Sequence, residues 1–96
     1  MNETGNRSHE RELITFPISY RCSIEKQENI STETRNGISL DLSAAGICIY
    51  APTQLKEGMY IDVYGEAAWQ GARKGSVRWC KMITENLFRV GVQFMN

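Results

Sequence analysis

Metal ligands and charge of one sign are both scarce in this chain. Its 96 residues hold a single histidine, His9, and three cysteines, Cys22, Cys48 and Cys80. The cysteines stand far apart, with no C-x-x-C pair, so the ligand spacing of a zinc site is missing. Each lies in an apolar stretch and is expected to pack as a small hydrophobe, its thiol reduced in a cytoplasmic setting. Eleven Lys plus Arg balance eleven Asp plus Glu. No overall field therefore draws the chain to nucleic acid or to an anionic membrane, and any anion site has to be local. No apolar run approaches the roughly 18 residues that span a bilayer. The opening "MNETGNRSHERE" is too polar for a secretory signal. No nucleophile with a base, no paired catalytic carboxylates and no metal cluster stand out, so an enzyme is not expected.

What is present is a well-patterned small domain, 42% hydrophobic and 23% charged. Residues 1–12 have almost nothing apolar and read as a flexible arm; residues 13–96 read as one domain. In "LITFPISYRCSI" one parity carries Ile14, Phe16, Ile18, Tyr20, Cys22 and Ile24, the signature of a strand with one buried face. Pro17, on the other parity, marks an edge or a bend. Residues 25–36 are polar and read as a loop or a weakly marked hairpin. "GISLDLSAAGICIY" predicts strands over about 37–43 and 46–51, joined by a tight turn that Gly46 closes. Ile38, Leu40 and Leu42 alternate with Ser39, Asp41 and Ser43, and the apolar parity is expected to fill the core. "MYIDVYG" repeats the alternation with Ile61 and Val63. "AAWQGARKGSVRWCKMI" reads as two strands broken near Gly75. "LFRVGVQF" puts Phe88, Val90, Val92 and Phe94 on one face. Six or seven short strands and no amphipathic helix predict an all-β sandwich or small closed barrel with antiparallel pairing.

Two short patterns bear on function. Arg7 and Arg11 lie four residues apart in the arm, a spacing that is common on solvated surfaces. Asp41 and Ser43 precede Gly46, and by themselves they fit a turn held by local side-chain to backbone bonds. Taken together they resemble the PilZ domain, a bacterial receptor module for the second messenger cyclic di-GMP. Its members carry R-x-x-x-R on an N-terminal arm and [D/N]-x-S-x-x-G across a strand end and the following turn. Here these are Arg7 and Arg11, then Asp41, Ser43 and Gly46. Phe16 and Pro17 follow the second arginine as an apolar residue and proline do in the family, and "SVRWCK" and "FRVGVQF" are similar to its late strands. The resemblance implies a small antiparallel six- or seven-stranded β-barrel. It also implies a cyclic di-GMP site between arm and strand-turn, without further cofactor.

The chemistry of those residue types agrees. The ligand has two phosphates and two guanines. An arginine fork grips phosphate oxygens in pairs, bridges the O6 and N7 acceptors of guanine, and stacks on a purine face. Asp41 accepts from guanine N–H groups or from a bridging arginine; Ser43 both donates and accepts. Gly46 permits an unusual backbone angle and close approach of a ligand. Asp41 and Ser43 would form the floor and the arginine arm a lid. Trp79 is a further candidate, because a tryptophan of this strand can lie near ligand in the family; its parity with Val77 points instead to the core. His9 sits between the arginines and is expected to be exposed. Asn6 precedes the first arginine, a position linked in the family to binding one ligand or a stacked pair. Glu3, Glu10 and Glu12 oppose an anion locally. The chain stops at Asn96 directly after the last strand, so a C-terminal helix found in some members is expected to be absent and signalling to pass through a protein partner. Two alternatives remain beside this reading: a PilZ-like protein adaptor that binds no nucleotide, and a small barrel for single-stranded nucleic acid, which would need a basic groove with exposed aromatics. Neither DNA, RNA nor membrane insertion is expected.

Overall fold

Apolar residues at every second position produce six strands in the computed structural model, which describes residues 15–26, 29–65 and 68–95. They are β1 (Pro17–Lys26), β2 (Asn29–Leu42), β3 (Gly46–Ala51), β4 (Tyr60–Tyr64), β5 (Ala72–Thr84) and β6 (Leu87–Phe94). All neighbours pair antiparallel. The sheet closes as a barrel in the order β1-β2-β3-β6-β5-β4, which leaves no long sheet edge around the core. The predicted arm, with Asn6, Arg7, His9 and Arg11, lies outside the described residues.

The expected faces supply the core. Ile18, Tyr20 and Cys22 of β1, Ile61 and Val63 of β4, and Phe88, Val90, Val92 and Phe94 of β6 are all buried, together with Ile47 and Ile49 of β3. One end of the barrel is sealed by Trp69. Its ring meets Phe16 and Phe94 edge-on at 6.3 and 5.8 Å, and its Nε1 donates to the Val63 carbonyl at 3.2 Å. The Arg73 guanidinium lies 3.7 Å from the Phe94 ring centre, a cation–π contact over the seal. The loop from β3 to β4 crosses the other end and inserts Leu55, which is buried.

One alternative is resolved and two expectations are corrected. Of the two readings of the polar stretch 25–36, the hairpin holds: β1 and β2 pair without interruption from Pro17↔Ile38 to Lys26↔Asn29. Backbone bonding extends the hairpin where no apolar parity marks it. β5 is one strand and does not break at Gly75. That glycine is buried, and Val92 Cγ1 comes within 2.5 Å of where its Cβ would stand, so the missing side chain makes room for β6. Most consequential, the apolar parity of 37–43 does not fill the barrel as a unit. Ser39 is fully buried and Ile38 is 45% exposed. Ser39 pairs with Ile49 and Asp41 with Cys48, so Leu40 is an extra residue, a β-bulge. The bulge reverses the alternation: Ser39 faces in, Asp41 faces out, and Leu42 packs against the core.

Candidate functional site

The turn between β2 and β3 is tied by Ser43. Its amide donates to the Gly46 carbonyl at 2.9 Å, and its Oγ accepts from the amides of Ala45 and Gly46, each at 3.3 Å. The hydroxyl thus does the structural work expected of a serine in such a turn. Gly46 is required for a reason other than the one expected. Its φ is not positive, unlike Gly58 and Gly71. A methyl group there would run into the backbone carbonyl of Val92, so it is β6 that approaches Gly46 closely.

Asp41 stands on the outer wall in a row that crosses four strands. It pairs with Cys48 of β3, Cys48 with Gly91 of β6, and Gly91 with Trp79 of β5. Three strand spacings make this row about 14 Å wide. Trp79 arrives there through a second bulge. Val77 pairs with Val92 and Trp79 with Gly91, which leaves Arg78 as the extra residue. Val77 accordingly points inward at 1% exposure while Trp79 points outward at 44%. The parity that directed Trp79 to the core is overturned by that one residue. The indole lies over Gly91, where a Cβ would collide with it.

Beside this row is a depression of about 210 Å³, lined by Ser43, Gly46, Cys48, Arg78, Trp79 and Gln93. Arg78 donates from Nη1 to Gln93 Oε1 at 2.7 Å, which holds a guanidinium at its rim. A wider groove, about 540 Å³, lies around the barrel where Arg21, Asp62 and Lys74 share a cross-strand row. Its carboxylate stands between its two cations, and Asp41, Ser43 and Gly46 do not line it. Asp41, Ser43, Gly46 and Trp79 therefore meet on one wall. Cys48 and Gly91 belong to its floor and were not singled out from the sequence. A glycine inside a strand pattern is a signal for close approach, and Gly91 in "RVGVQF" is such a glycine.

The PilZ domain family model matches residues 5–96. The chain belongs to the PilZ domain family. That family is one of cyclic di-GMP receptors, and the matched span takes in both "RSHER" and "DLSAAG". No curated protein matches the chain.

Proposed function

We propose that this PilZ domain binds cyclic di-GMP on the outer wall of β2, β3, β6 and β5, beneath the arm that carries Arg7 and Arg11. The observation that carries the reading is the convergence of Asp41 and Trp79 on a single row through two separate bulges. Together they offer a hydrogen-bond acceptor and an exposed aromatic face at opposite ends of a platform floored by small residues. A guanine stacks on the indole, and Asp41 accepts from guanine N–H groups or from an arginine that bridges to them. Ser43 and Gly46 set the height of the turn beside it.

The position of Phe16 supports the arm's part. The Ser39 amide donates to the Phe16 carbonyl at 2.9 Å, which ties Phe16 to β2 beside the bulge that turns Asp41 outward. Five residues of extended chain reach at most about 17 Å, so Arg11 is within reach of the platform. In this proposal Arg7 and Arg11 close over the phosphates, Asn6 and His9 lie at the margin, and the closed arm presents a new surface to a protein partner. Titration calorimetry with cyclic di-GMP, with GMP and GTP as controls, tests the proposal. Saturable binding of the cyclic dinucleotide alone is expected. The absence of heat and of any chemical-shift change well above micromolar ligand would overturn it in favour of an adaptor role.

A further inference from the structure

The strand register places two cations directly opposite each other on the same wall. Lys81 of β5 pairs with Arg89 of β6, and Arg89 pairs in turn with Tyr50 of β3. This row lies next to the Asp41–Trp79 row, two residues further along each of β3, β6 and β5. Both cations are exposed, and among the described residues no carboxylate pairs with either. Like charges facing each other across a sheet destabilise it, so the arrangement is not explained by folding. Around the Asp41–Trp79 row the outward side chains include three cations, Arg78, Lys81 and Arg89, against one carboxylate, Asp41. In a chain of zero net charge that is a local positive field.

We propose that Lys81 and Arg89 form a second, wall-borne phosphate clamp, which takes a phosphodiester of a bound cyclic dinucleotide from the side opposite the arm. The inference rests on the cyclic di-GMP reading above and deepens it. A dianionic ligand over Asp41 places negative charge beside a carboxylate, and the segment that carries Arg7 and Arg11 also carries Glu3, Glu10 and Glu12. Cations fixed on rigid strands compensate for both. Arg89 sits two residues from Gly91, which is about 7 Å along a strand. An arginine side chain is long enough to span that distance, and its planar fork suits two phosphate oxygens. Lys81 adds a compact charge at the same level, and Tyr50 supplies the apolar shoulder of the row.

The test is a set of calorimetric titrations with cyclic di-GMP at low and at physiological salt, paired with thermal melts. The proteins are the parent, Arg89→Ala, Lys81→Ala and Arg21→Ala. Loss of either wall cation is expected to weaken binding roughly tenfold and to flatten its salt dependence, because screened charge–charge attraction is what has been removed. The melting temperature is expected to stay level or rise as the facing charges are relieved. Arg21→Ala, in the groove away from this wall, removes the same net charge and is expected to bind as the parent does. Parental affinity in both Arg89→Ala and Lys81→Ala would overturn the clamp while leaving the receptor reading intact. So would an equal loss in Arg21→Ala, since the effect would then be one of overall charge. A parent that does not bind overturns the receptor reading and the clamp with it.

Discussion

Tyr20 has no exposed surface, and its hydroxyl forms no hydrogen bond. Burial raises its ionisation above the ordinary 10.0; Thr53 eases that shift without reaching bonding geometry. Burial likewise raises the Cys22 thiol above 9.0, which makes this cysteine an inert core residue. Both groups hold their proton more firmly in the folded chain. Their contribution to stability is therefore complete below 9.0 for Cys22 and 10.0 for Tyr20, and it is lost as pH rises through the raised folded values. Tyr20→Phe removes a buried hydroxyl that lacks a partner. Chemical denaturation at neutral pH is expected to show stability unchanged or raised by about 1 kcal/mol. Above pH 10.0 the variant is expected to lose less stability than the parent. A clear loss at neutral pH would mean that the hydroxyl is satisfied in solution.

β2 departs from regular pairing at Leu40, and β5 at Arg78 and again at Ile83; the departures at Leu40 and Arg78 make the wall. Without the bulge at Leu40, Ser39 and Asp41 would face the same way; without the one at Arg78, Val77 and Trp79 would. The glycines of β3 and β6 have different duties within this design. Gly46 is hemmed in by backbone, the Val92 carbonyl, whereas Gly91 is hemmed in by a side chain, the Trp79 indole. Backbone in a closed barrel cannot give way, but a half-exposed indole can. Gly46→Ala is thus expected to lower stability by about 1 to 3 kcal/mol through overpacking. Gly91→Ala is expected to cost much less stability, to displace the indole, and to weaken ligand binding. Thermal melts with tryptophan fluorescence separate the two. Equal loss of stability in both variants would mean that Trp79 is locked in place.

At the scale of the molecule, the closed barrel is a rigid stage and the arm is the part expected to respond. Arg7 and Arg11 are outside the apolar pattern, so their loss is expected to leave folding untouched. In a desolvated phosphate site, removal of such a contact costs about 2 to 5 kcal/mol of binding. Arg11→Ala is accordingly expected to bind cyclic di-GMP far more weakly than the parent at an unchanged melting temperature. NMR relaxation at the amides of Arg7 and Arg11 is expected to show rigidity in the complex equal to that of β2 near Leu40, and less without ligand, since the arm has almost nothing apolar with which to offset its ordering entropy. Equal rigidity in both states would rule out the arm as the moving part.

Much of the barrel was legible because period-2 alternation is a local signal. β1, β4 and β6 follow it, and their buried residues Ile18, Tyr20, Val63, Val90 and Val92 are those the pattern selects. The turn at Ser43 and Gly46 was legible too, since its chemistry lies within four residues. The resemblance to the family pattern is what suggested that the two motifs act together. What only the tertiary structure decided is which way Ser39, Asp41 and Trp79 face. A bulge is a mismatch between two strands, set by the partner's register, and nothing in "SLD" or "VRW" alone announces it. The same holds for the long β1–β2 hairpin, stabilised by a backbone ladder rather than by an apolar face. It holds as well for the facing of Lys81 and Arg89, eight residues apart in the chain and opposite each other only because β5 and β6 fold back on one another.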